Sequence, residues 1–189
     1  APTINNNTGS GEVGLAALIK AGQVSKIICS YPRSMNSTVF PDLYRNNKIQ
    51  LELVPQGTLA ERIRAGGAGI PGFYTPASVG TPLAEGKEVR NFNGQEFVLE
   101  HGLVADFALL KAKCADRYGN LIYNKTARNF GPLMAMAAGI TIVQVAQIVS
   151  AGDLDPEAVV TPGIFVQQVV RVPRPAHESD LVREGVSYP

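Results

Sequence analysis

"IQLELVPQGTLAERIRAGGAGIPGFYTP", residues 49–76, decides the fold. It opens by alternating: Ile49, Leu51 and Leu53 share one face and Gln50 and Glu52 the other, as in a half-buried strand. Pro55 ends the strand. Thr58-Leu59-Ala60-Glu61 then fits a capping box, with Thr58 as N-cap and Glu61 three residues on. Leu59 and Ile63 lie one turn apart and face the sheet, Arg62 and Arg64 face elsewhere, and Gly66-Gly67 closes the helix. A strand running directly into a helix is the repeating step of an α/β domain. The following "GAGIPGFYTP" is too rich in glycine and proline for regular structure and reads as a long loop.

The same pattern extends in both directions. Upstream, the turn "NNNTGSGEVG" leads into a helix whose apolar face is Val13, Leu15, Ala16, Leu18 and Ile19, stopped at Gly22. "SKIICSYP" is a buried strand, and "STVFPDLYRNNK" contains a short helix opened at Pro41. Downstream, Asn93-Gly94 between "EVRNF" and "QEFVLE" and Gly119-Asn120 between "DFALLKAKC" and "LIYN" are hairpin signals. "NFGPLMAMAAG" is a small-residue helix suited to close packing on a sheet, and "ITIVQVAQIV" and "GIFVQQVVRV" are strands. The expected fold class is α/β, a mainly parallel sheet flanked by helices with an antiparallel hairpin insertion. One domain over residues 1–172 and a polar, extended tail over 173–189 are expected.

Composition narrows the function. The 189 residues are 45% hydrophobic, enough for one well-buried domain, and the net charge of +1 has no basic block to neutralise phosphates. Arg171, Arg174 and Arg183 near the end are interleaved with Glu178, Asp180 and Glu184, so no nucleic-acid partner is expected. Cys29 and Cys114 fit no metal or redox spacing, and with His101 and His177 the sole histidines no metal site is expected. No apolar run reaches the roughly 20 residues that span a bilayer, and no secretory signal is visible, so a cytoplasmic protein without a membrane partner is expected.

Two turns stand out for chemistry. Gln56-Gly57 lies between the carboxyl end of a strand and a helix N-terminus, the edge at which open α/β sheets bind ligands. Unpaired N–H groups and partial positive potential gather there, and an uncharged glutamine amide can donate to a carbonyl oxygen or oxyanion. As a plain loop residue the same glutamine would be solvated. "NNNTGSGEVG" is a second polar turn of the same kind, read either as a turn needing positive φ or as another wall of one site. "GGAG" matches neither the P-loop nor the dinucleotide fingerprint.

Long stretches of the chain resemble the A subunits of family I coenzyme A transferases of the succinyl-CoA:3-ketoacid and 3-oxoadipate types. They are "NNTGSGEVGLAALIKAG", "LVPQGTLAERIRAGGAGIPGFYT", "LAEGKEVRNFNGQEFVLE", "ADFALLKAKCADRYGNLIYNKTARNFGPLMA" and "VVTPGIFVQQVV". The resemblance implies the CoA-transferase, NagB-RpiA-like fold. It also implies a strand and a "GGFG"-type turn upstream of the first residue, so the chain reads as N-terminally incomplete. "TPASVGT" departs from the family's "TGYGT", with Val79 in place of an aromatic residue.

The implied reaction moves CoA from an acyl-CoA such as succinyl-CoA to a 3-oxo acid, acetoacetate or 3-oxoadipate. It passes through a glutamyl-CoA thioester with ping-pong kinetics and needs no cofactor besides the CoA thioester substrate. The nucleophilic glutamate is implied on a partner B subunit. Here Gln56 is similar to the family's active-site glutamine, and Asn6 and Asn7 to its paired asparagines; these are expected to orient the acyl carboxylate or polarise its carbonyl. Asn6, Asn7, Gln56 and Gly57 are therefore the expected substrate-binding residues. Glu12, Glu61, Glu85 and Glu100 are carboxylates assigned no nucleophilic role, Glu12 being the least secure exclusion. A non-catalytic CoA- or metabolite-binding module and a CoA-thioester hydrolase of the same family are the competing readings.

Overall fold

The computed structural model describes residues 2–34 and 36–188. Their contacts divide the chain into two compact units. One comprises the residues up to 59, with 78–85 and 176 onward; the other comprises 60–77 and 86–175.

The first unit begins with β1 (Thr3–Asn5), α1 (Gly14–Lys20), β2 (Lys26–Cys29), α2 (Val39–Arg45) and β3 (Gln50–Leu53). The strands form a parallel sheet in the order β1-β2-β3, with Ile4 opposite Ile27 and Ile27 opposite Leu51. Parallel neighbours cannot be joined by a tight hairpin, so α1 and α2 supply the crossovers. Central β2 is apolar and buried from Ile27 to Cys29, as a strand covered on both sides must be. Ile27 and Cys29 pack with Ile19 of α1, Phe40 of α2 and Ile49 to form the core.

Three expectations shift here. Leu18 is 44% exposed, so the face toward the core is Val13, Ala16 and Ile19, with Leu15 half-buried against it. The alternation of β3 fades along its length, from buried Ile49 through half-buried Leu51 to exposed Leu53 on this edge strand. The short helix starts at Val39, two residues before Pro41. Proline is tolerated in that first turn because its missing N–H would have no intrahelical partner.

α3 (Gln56–Gly67) follows β3 after Val54 and Pro55, and carries the chain into the second unit. It starts three residues earlier than the capping box requires. The first intrahelical bond runs from the Leu59 N–H to the Pro55 carbonyl at 2.8 Å, so Thr58 lies inside the first turn rather than at its cap. Its buried Oγ1 has no hydrogen-bond partner among the described residues, and Glu61 pairs with Arg64 at 2.6 Å. The capping box is not formed. Leu59 and Ile63 are buried as expected.

The second unit contains β4 (Gly72–Thr75), β5 (Val89–Phe92) and β6 (Gln95–His101), an antiparallel sheet in the order β4-β6-β5. The hairpin at Asn93-Gly94 forms with φ of 54° and 87°, the left-handed pair that a two-residue turn demands. The loop expected over 67–76 instead holds β4: its prolines flank the strand, and Gly72 allows close approach to the Glu100 carbonyl.

Next come β7 (Ala105–Lys111), β8 (Cys114–Asp116), β9 (Leu121–Ile122), α4 (Gly131–Met136), β10 (Ala138–Val145), β11 (Gln147–Val149) and β12 (Gln168–Arg171). β12-β10-β7 is parallel, and in β11-β8-β9 only the β8–β9 pair is antiparallel. The second hairpin therefore forms, but with a shorter first arm. The Ala112 N–H bonds the Gln144 carbonyl while the Lys113 N–H bonds the Ile122 carbonyl, so "DFALLKAKC" changes sheets between those residues. Ala108, Leu110, Ala115, Leu121, Ala135, Val143 and Val145 are the core, with α4 packed on β7 and β10.

The chain ends in the first unit with α5 (Glu178–Arg183), where an extended tail is expected. Glu178 and Asp180 in its first turn suit the positive helix end, and Arg183 pairs with Asp180 at 2.8 Å. None of the described helices is long and apolar enough to cross a membrane.

Candidate active-site cleft

Because β1, β2 and β3 run parallel, the three segments that follow them leave one edge of the sheet. They are Asn6-Asn7 after β1, Arg33-Ser34 beyond β2, and Gln56-Gly57 after β3. A cleft of about 590 Å3 opens at this edge. Its polar walls are Asn6, Asn7, Ser10, Arg33, Ser34 and Glu178.

The first wall is built by the glycine-rich turn. The Asn7 N–H bonds Asn6 Oδ1 at 2.8 Å, which fixes the Asn6 side chain beside the backbone. Thr8 is buried, and Gly9 then turns the chain with φ of 75°. A Cβ at Gly9 would lie 2.5 Å from the Ala16 nitrogen, so glycine is required here both for φ and for space. The Ser10 N–H donates to Glu178 Oε1 at 3.2 Å, which ties α5 to the turn.

The expected residues divide. Asn6 and Asn7 meet in the cleft, whereas Gln56 and Gly57 lie on the same sheet edge but do not line it. Gln56 is the exposed first residue of α3, and its amide makes no hydrogen bond among the described residues.

Most of the carboxylates set aside from the sequence are engaged. Glu12 accepts from Lys20 Nζ and Ser187 Oγ, each at 2.7 Å, and these bonds with the lysine charge hold its carboxyl below the usual range. Arg64 does the same for Glu61. Glu100 is 2% exposed and bonds Lys87 Nζ at 2.6 Å. Glu85 closes a single 3-10 turn over Pro82–Ala84.

Arg33, Ser34, Ser10 and Glu178 are cleft residues that sequence reasoning missed. The strand-edge rule that singled out Gln56 applies equally to "SYPRS" after β2, so Arg33 was within reach of it. Glu178 carried no signal, since its segment has the composition of a solvated tail. Burial pushes the Cys29 and Cys114 thiols up, against weaker opposing effects, and leaves them protonated and unreactive. No group of three His, Cys, Asp or Glu side chains that could hold a metal ion occurs among the described residues.

Residues 2–172 match the family model of coenzyme A transferase. The chain belongs to that family. This CoA-transferase chain is 60% identical over 169 residues to the A subunit of 3-oxoadipate CoA-transferase from Acinetobacter baylyi, covering 89% of itself and 74% of that protein. It is 53% identical over 167 residues to the A subunit of the probable succinyl-CoA:3-ketoacid coenzyme A transferase of Bacillus subtilis, covering 88% of itself and 69% of that protein. An acyl-CoA transferase of Escherichia coli, solved as a thioester complex with CoA, superposes with a TM-score of 0.80 at 26% identity. That match covers 92% of this CoA-transferase chain but 40% of the longer solved one.

Proposed function

We propose that the chain is the A subunit of a heteromeric 3-oxoacid CoA-transferase. It would serve a B subunit in moving CoA from an acyl-CoA such as succinyl-CoA to a 3-oxo acid. The observation that carries this reading is the 60% identity to its 3-oxoadipate CoA-transferase counterpart across nearly the whole chain. The polar cleft at the carboxyl edge of β1–β3 agrees with it.

In the proposed cycle a glutamate carboxylate of the B subunit's own site attacks the acyl-CoA carbonyl and expels the CoA thiolate, leaving a mixed anhydride. The thiolate then attacks the glutamyl carbonyl, releasing the donor acid and leaving a glutamyl-CoA thioester. The acceptor carboxylate reverses both steps and departs as its CoA thioester. Each attack places negative charge on a carbonyl oxygen. Neutral donors such as the amides of Asn6, Asn7 and Gln56 would stabilise that charge once the bound substrate brings the carbonyl oxygen within their reach.

The test is co-expression with the B subunit, purification of the complex and assay of transfer from succinyl-CoA to 3-oxoadipate and to acetoacetate. Activity is expected from the complex and not from this chain by itself, with CoA trapped on a glutamate of the partner. Full activity from this chain by itself, or CoA found on Glu178, would overturn the assignment of the nucleophile. Gln56→Ala should lower kcat by about 10²-fold or more at unchanged Tm; an unchanged rate removes Gln56 from the reaction.

A further inference from the structure

Among the described residues that line the cleft, one is cationic. Asn6, Asn7, Ser10 and Ser34 offer neutral amides and hydroxyls, whereas Arg33 brings a guanidinium. Arg45, Arg64, Arg90 and Arg183 are held in ion pairs by neighbouring carboxylates. Arg33 is exposed and belongs to no ion pair among the described residues. Glu178, the carboxylate in the cleft wall, takes its hydrogen bond from the Ser10 N–H instead. An uncommitted guanidinium in a polar cleft matches a ligand carboxylate, which its planar fork can hold through two bonds.

Which carboxylate it holds follows from the chemistry. The acceptor's reacting carboxylate must attack an acyl carbon, and a strong ion pair would reduce its nucleophilicity. A second carboxylate, remote from the reacting end, has no such constraint and can be held through both half-reactions.

We infer that Arg33 is a specificity-determining residue that grips the remote carboxylate of a dicarboxylic 3-oxo acid, so that such acids are preferred over monocarboxylic ones. This rests on the transferase reading above. It makes 3-oxoadipate the favoured acceptor over acetoacetate, and the same contact serves the free carboxylate of a succinyl donor.

The experiment uses this chain in complex with its B subunit. It measures kcat/KM for 3-oxoadipate and for acetoacetate. In a ping-pong reaction each acceptor's kcat/KM is independent of the donor half, so their ratio isolates acceptor recognition. Wild type should favour 3-oxoadipate. Arg33→Met should reduce the ratio about 30-fold or more, the scale of one charge-assisted contact. Arg33→Lys, which keeps the charge but loses the fork, should restore part of it. Adipate, a non-reacting dicarboxylate, should inhibit wild type and lose at least about tenfold in potency against Arg33→Met.

A ratio unmoved by Arg33→Met, or a wild-type preference for acetoacetate, overturns this inference and leaves the transferase reading standing. A wild-type complex that transfers CoA to neither acid overturns both.

Discussion

Thr58 separates two accounts of where α3 begins. If Thr58 capped the helix, its hydroxyl would hold a free backbone N–H, and Thr58→Val would cost about 1 kcal/mol. In the structure α3 begins at Gln56, and the Thr58 hydroxyl is buried without a partner in a residue 5% exposed. A buried hydroxyl left unpaired costs about 1–3 kcal/mol. Valine has nearly the same shape and helix propensity, so Thr58→Val should stabilise by about 1 kcal/mol. In a chain of this size that raises Tm by about 2–4 °C. Thr58→Ser sharpens the test: it keeps the hydroxyl but removes a buried methyl, a loss of about 0.5–1.5 kcal/mol by analogy with Ile→Val. A capping Thr58 would tolerate serine, because serine caps at least as well. The assay is urea and thermal unfolding followed by far-UV circular dichroism. Valine up and serine down is the expected pattern. The reverse would move the helix start to Thr58 and place Gln56 in the preceding loop rather than at the N-terminal turn.

Two glycines of α3 should respond oppositely to alanine. At Gly66 a Cβ would stand 2.2 Å from the Leu103 carbonyl oxygen, so Gly66→Ala should destabilise by about 1–3 kcal/mol despite its better helix propensity. At Gly57 nothing lies within 4 Å, so Gly57→Ala should be neutral or stabilise by up to about 1 kcal/mol in the same unfolding assay. Asp116 carries an acid-sensitive prediction. Burial pushes its carboxyl up, but bonds from the Asn120 side chain and from the Asn120, Tyr118 and Gly119 backbone outweigh this and leave it below its ordinary value. Its folded value lies below its unfolded one, so its contribution is complete above the unfolded value, about 3.9, and is lost as pH falls through the folded value. Asp116→Asn should therefore flatten the loss of stability below about pH 4, and an unchanged slope in acid urea titrations would refute the assignment.

What the sequence revealed of the fold was what short-range chemistry determines. Asn93-Gly94 needs two positive φ values, which few other residue pairs adopt, so the hairpin followed from two letters. Buried β2 followed from "KIIC" for the same local reason. The misreadings fell where tertiary contacts select among locally acceptable structures. Pro71 and Pro76 suggested a loop, yet the four residues between Pro71 and Pro76 find a partner strand in β6. "DFALLKAKC" is continuous in pattern, and the point where it changes sheets is set by Gln144 and Ile122, both distant in sequence.

The site shows the same division with a chemical consequence. Asn6, Asn7 and Gln56 stand out in the sequence because each follows a strand at one edge of a parallel sheet, and of these Asn6 and Asn7 line the cleft. Arg33 obeys the same rule but was passed over, because a lone arginine in a loop has no periodicity to mark it. Its meaning depends on a negative feature, the lack of an ion-pair partner among the described residues. The carboxylates show the reverse. Glu12, Glu61 and Glu100 are open candidates as letters, yet each is occupied by a lysine or arginine in the structure. A carboxylate bonded to a cation has its charge stabilised and is a weaker nucleophile for a thioester. Among the described residues the cleft thus offers neutral donors and one cation, suited to hold an acid and stabilise an oxyanion, while the one carboxylate among them is bonded to a backbone N–H. That chemistry suits orienting a substrate, and on the proposed reading it would leave the covalent step to a carboxylate of the partner, which is the division of labour that the co-expression experiment tests.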